Sequence, residues 1–199
     1  MILNHIWGLY AHPKDEWHVI EKRHESLSYS LMHILTIALI PVICCYYAAA
    51  YIGWTIGVGE PIKISVASAQ IMAVSMYFGL VIGVFVLACL IQWMAKTFDS
   101  KPDFVQALEL AAYTATPMLM VGITALFPVL WFVALAGIAA VAYSIYLLYS
   151  GVPIMMNIPE EKGFIYSSSV VTAGLVLLVT LMTFTAMMWT MGFGPEFVS

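Results

Sequence analysis

Charge is what this chain has least of. Its 199 residues include only seven Lys and Arg and eleven Asp and Glu, 9% of the total. A soluble domain carries about 25%. With 63% hydrophobic residues and a mean hydropathy of +0.97, one water-soluble core would leave large apolar patches exposed. Basic excess is missing too, since the net charge is −4, and nucleic acid is therefore excluded as a partner. Cysteine is sparse: Cys44, Cys45 and Cys89 all lie in apolar runs, too few and too odd for a disulfide framework. Histidine is absent after His33. The N-terminus lacks the short apolar segment and small-residue cleavage site of a signal peptide, so insertion is expected to rely on later helices. No nucleophile–base pair, phosphate loop or paired carboxylates occur at usable spacing, which points away from an enzyme and from any cofactor.

What is present is length without charge. Residues 26–59, 64–95, 110–159 and 163–195 contain no Asp, Glu, Lys or Arg. About 20 apolar residues cross a bilayer core of roughly 30 Å. The first, second and fourth runs therefore hold one span each, at 28–52, 69–95 and 165–191. The third must fold back, and Phe127-Pro128 divides it into 103–126 and 129–150 because proline disfavours helix just before it. The expected fold is all-α, a five-helix membrane bundle over 28–192, after a segment 1–27 and before a tail 193–199. Of the basic residues, Lys14, Lys22, Arg23, Lys96, Lys101 and Lys162 fall on one side and Lys63 on the other. That bias predicts a cytoplasmic N-terminus and an external C-terminus.

Ahead of the first span, Pro13 and the acids after it suit a helix start. Trp17, Ile20, His24 and Leu27 then share one face, opposite Lys14, Glu21, Lys22 and Glu25. Residues 13–27 are thus expected to lie in the membrane interface as an amphipathic helix anchored by Trp17, or alternatively to bind a partner. His18, Glu21 and His24 fit H-x-x-E-x-x-H. The two histidines nevertheless diverge by roughly 120° on a helix, so the N-terminal histidines are read as solvated rather than as a metal site.

Inside the spans, Glu109 is the sole carboxylate. Gln106, Glu109, Tyr113 and Thr116 share a face of the third helix, and Ser100 with Asp103 is expected to cap that helix's start. The stripe either lines a solute path or bonds helices together. His33 is a further titratable group in the first span. Pro41 and Pro117 should kink their helices, and Gly79 with Gly83, like Ala136 with Ala140, should permit close helix approach.

Three segments together resemble the YIP domain family. They are "YAHPKDEWHVI", then "SKPDFVQALELAAYTATPML" with Phe104, Tyr113 and Pro117 on the pattern, and "YSIYLLYSGVPIMMNIPEEKGFIYSSSV". In the last, Gly151, Pro153, Pro159, Glu160, Glu161, Lys162 and Tyr166 all match. The third helix's entry departs from the family, carrying "FDSKPD" where many members have a glycine-rich turn. The resemblance is to the short bacterial inner-membrane branch. It implies five spans in that membrane and a Pro-Glu-Glu-Lys turn that either starts the fifth helix or docks a partner. Eukaryotic members bind small GTPases of vesicle traffic, a partner not expected for a bacterial chain. The expected function is a non-enzymatic organiser that assembles with itself or another membrane protein. The alternative is a permease or channel using Glu109.

Overall fold

The computed structural model describes residues 2–23, 26–57 and 59–198. Five helical segments are long and apolar enough to cross a membrane: Leu27–Ile52, Val66–Phe98, Phe104–Leu126, Leu130–Met155 and Glu160–Gly192. Pro41 splits the first of these. Lacking an N–H for the Ile37 carbonyl, it leaves two helices, α3 (Leu27–Ile37) and α4 (Leu39–Tyr47), followed by a π-helical turn, Ala48–Ile52. The others are α5 (Val66–Ala95), α6 (Phe104–Met120, continued by a 3₁₀ turn to Leu126), α7 (Leu130–Met155) and α8 (Glu160–Met188).

α6 is the most enclosed span. It packs against α3, α5 and α7, while α8 closes on α5 and α7. Close contacts depend on glycine where helices cross. Gly122 sits against Pro41 and Gly163 against Pro153, where an added Cβ would meet the proline ring at 2.3 Å and 2.5 Å respectively. Gly79 and Gly83, expected to draw helices together, have nothing within 4 Å of an added Cβ. They lie on an outward face of α5, so the close-approach expectation is corrected there.

Two short helices precede the spans. α1 (Ile2–Ala11) had no counterpart in the sequence reading, and α2 runs Pro13–Arg23. They fold back on each other and fill the gap over α6 between α3 and α7. Ile6 packs with Ile37 and Leu119, the Tyr10 ring stacks on Tyr143 at 5.2 Å, and Tyr143 donates to the Leu9 carbonyl at 2.7 Å. Tyr143 is twelve residues before Met155, so the hairpin tip lies about 18 Å from that end of α7. Leu27, assigned to the amphipathic face, instead opens α3 and is exposed. His24 and Glu25 lie outside the described residues.

At the opposite end the loops lace together. β1 (Lys63–Ile64) pairs antiparallel with β2 (Phe197–Val198), and Thr55 bridges to Val129. The tail expected at 193–199 therefore contains a strand partner for the loop between the first two spans.

Candidate functional site

Two zones gather the polar residues. The first follows α6. Its N-cap is Asp103, whose Oδ1 accepts from the Gln106 amide at 2.7 Å. Ser100, expected to share that cap, instead donates to the Met156 carbonyl at 2.9 Å and ties the α5–α6 turn to the end of α7. Gln106 Nε2 donates to Met155 O at 3.2 Å. Further in, Thr116 donates to the Ala112 carbonyl at 2.9 Å and meets His33 Nε2 at 2.9 Å. A hydroxyl has one proton, so the imidazole donates from Nε2 and its Nδ1 is left as an acceptor. That Nδ1 is buried without a hydrogen-bond partner among the described residues. His33 is thus enclosed between helices and does not reach toward the interface.

Tyr113 is the hub of this zone. His33 lies 4.8 Å from its ring, His5 6.0 Å and Trp17 6.3 Å, centroid to centroid. Glu109 is 1% exposed, and Pro117 is buried on the same helix. His5 belongs to α1 and is buried, where the sequence pattern predicts a solvated group. Arg23 Nη1 lies 3.0 Å from His5 Nε2, and since a guanidinium cannot accept, Nε2 accepts and Nδ1–H is given to Glu16. A charged pair on α2 therefore holds α1 in place through one imidazole.

The second zone joins two segments far apart in sequence, α2 and the turn before α8. Trp17 and Ile20 are fully buried in protein rather than turned to lipid. Trp17 Nε1 donates to Ser150 Oγ at 3.2 Å, and its ring lies on Gly151, where an added Cβ would stand 2.7 Å from the indole. Pro159 is the N-cap of α8 and Glu160 and Glu161 form its first turn, where the helix dipole favours acids. The fifth span thus begins at Glu160, five residues before the expected 165, because Pro159 stops the preceding turn and acids start the next helix. Lys162 Nζ reaches Asp99 Oδ2 at 2.7 Å and clasps α8 to the α5–α6 turn. This partner holds the exposed Asp99 carboxyl below its ordinary value. Tyr166 donates to the Ile91 carbonyl and stacks on Phe98 at 4.7 Å.

Between α2, the end of α7 and the start of α8 lies a groove of about 740 Å³. Lys14, His18 and Glu21 line one wall, and Tyr146, Tyr149, Ser150, Pro153, Asn157, Glu160 and Phe164 are among those lining the other. His18 and Glu21, weighed as metal ligands with His24, face this groove. Among the described residues no three His, Cys, Asp or Glu side chains converge as a metal site. No local motif marks the groove, because its walls are separated by well over a hundred residues. The shared face of positions 14, 18 and 21 was its only local signal.

Five apolar spans, one of them the largely enclosed α6 with its buried polar groups, define a multi-pass, membrane-embedded protein. The Yip1 domain model matches residues 7–181, and on that coverage the chain belongs to the Yip1 domain family. It is 37% identical over 192 residues to Inner membrane protein YohC of Escherichia coli K12, covering 96% of this chain and 98% of that one. YohC of E. coli O6:H1 matches with the same figures. No solved structure matches.

Proposed function

We propose that the chain is a non-enzymatic membrane organiser, a five-helix bundle that binds lipid or another membrane protein through its basic end. Like the E. coli relative by name, it would reside in the inner membrane, with the N-terminus cytoplasmic because six of seven basic residues lie on that side. One observation carries this reading. The polar stripe of α6 lies under the α1–α2 hairpin, and its Gln106 and Thr116 are engaged by α7 and α3, whereas the 740 Å³ groove opens at the basic end. A stripe used for bonding between helices is structural.

The permease reading is favoured by a different observation, the buried acceptor at His33 Nδ1, which suits a water or a proton near Tyr113. Proteoliposomes separate the two. We expect no proton or small-ion flux from the wild-type protein and a nearly unchanged melting temperature for Glu109→Gln. Flux in the wild type that disappears in Glu109→Gln at unchanged stability would replace the organiser reading with transport.

A further inference from the structure

We propose that the groove between α2, α7 and α8 seats the headgroup of a zwitterionic phospholipid bearing a primary ammonium, its phosphate at Lys14 and His18 and its ammonium at Glu21 and Glu160. The inference deepens the organiser reading by naming a ligand class for its binding face.

The charges along the groove fall in a definite order. α2 runs in the same direction as α7: the hairpin tip meets Tyr143 through Tyr10 and the Leu9 carbonyl, and Trp17, further along α2, bonds Ser150 and lies on Gly151. Lys14 precedes Trp17 on the tip side and Glu21 follows it, so Glu21 stands about 10 Å closer than Lys14 to the charged end of the molecule. Glu160 begins α8 at that same end. The cationic part of the groove is therefore the deeper part and the anionic part the outer one. A phospholipid arranges its headgroup in the complementary sense, with phosphate next to the acyl region and ammonium outermost.

The depth also fits. Tyr146, Tyr149 and Phe164 line the groove, Tyr149 and Phe164 rings meet at 5.2 Å, and Tyr146 and Phe164 are substantially exposed. Such amphipathic and apolar rings mark the level where a bilayer passes from hydrocarbon to headgroups. Beyond Phe164 the outward face of α8 is apolar, with Ile165 and Leu175 exposed, and offers a surface for an acyl chain. Both signs of charge are needed to explain the groove. An anionic headgroup would meet Glu21 and Glu160 unfavourably, while a trimethylammonium group has no N–H to give those carboxylates.

The test uses the full chain, delipidated in detergent and titrated with phosphatidylethanolamine, phosphatidylcholine and phosphatidylglycerol of identical acyl composition. Bound lipid is counted by native mass spectrometry, and thermal shift is followed in parallel. Phosphatidylethanolamine should bind about fivefold or more tightly than either other lipid, the scale of one interfacial charge contact. Lys14→Gln should weaken all three by about fivefold, and Glu21→Gln should shrink the preference for the primary ammonium, with Glu160 left as its remaining carboxylate. Neither position lies in the core, and unchanged shielding of Trp17 would verify that each variant is folded. Equal binding of the three lipids, or a preference undiminished by Glu21→Gln, would overturn the proposal. So would water-soluble glycerophosphoethanolamine binding as tightly as the lipid, because the site would then serve a solute. Flux in proteoliposomes would remove the organiser reading while leaving this lipid preference to be judged by the titration alone.

Discussion

The seat of Trp17 yields the sharpest test of the fold. An indole anchored in the interface and an indole buried in protein both avoid aqueous quenchers, but only the first is open to quenchers carried by lipid. In this structure Trp17 is 0% exposed, closed in by Tyr113, Leu110 and Gly151. With the other five tryptophans replaced by Phe, Trp17 fluorescence should resist both iodide and brominated lipid. Gly151→Ala supplies the perturbation. Its Cβ would stand 2.7 Å from the indole and 2.8 Å from Leu110 Cδ1, so the ring must move. Overpacking of this kind costs about 1–3 kcal/mol, a fall of roughly 2–12 °C in Tm for a chain of this size. Trp17→Ala removes the ring altogether and should cost about 3–5 kcal/mol, whereas Trp17→Phe, losing chiefly the bond to Ser150, should cost about 1 kcal/mol. Gly151→Ala should also admit a quencher that wild type excludes. Efficient quenching of wild-type Trp17 by brominated lipid, or a Gly151→Ala protein with unchanged Tm and shielding, would refute the packing argument.

The Lys162–Asp99 pair predicts a pH dependence of definite sign. Asp99 is held below its ordinary value near 3.8, so its contribution is present above that pH and is lost as pH falls through the lowered value. The small Tm difference between wild type and Lys162→Met should therefore be constant across neutral pH, close below pH 3.8, and shrink in high salt because the pair is exposed. Tyr166→Phe should lower stability by about 0.6–1.5 kcal/mol through loss of the bond to Ile91, measured by thermal melting, since the ring and its stack on Phe98 remain. A C-terminal reporter that is active only in the cytoplasm should stay silent, and activity there would reverse the orientation inferred from the basic residues.

The spans were legible because each announces itself locally, by twenty or more residues without a charge and by punctuation such as Pro128 and Pro159. α1 was not. Its ten residues, apolar but too short to span, carry no mark of where they pack, and only the neighbouring Ile37, Leu119 and Tyr143 explain Ile6, Leu9 and Tyr10. The periodicity of α2 identified Trp17 and Ile20 as an apolar face without saying whether lipid or protein would cover it. Ser100 shows the same limit on a smaller scale. A cap motif is a local pattern, and the Met156 carbonyl outcompeted it from 56 residues away. The candidate polar residues could be placed on one stripe of α6, but not their division between His33 on one side and Met155 on the other.

The contact between α2 and α7 also bears on biosynthesis. Trp17 and its acceptor Ser150 are 133 residues apart, so at roughly 5–20 residues per second the ribosome reaches the acceptor about 7–27 s after Trp17. Throughout that interval the earlier spans enter the bilayer while the N-terminal hairpin has no seat. Its apolar face must be sheltered by lipid or a chaperone, and then transferred when the fourth span arrives. Nascent chains halted before residue 150 should accordingly remain open to protease near Lys14 and Lys22, and become protected once Ser150 and Gly151 have emerged.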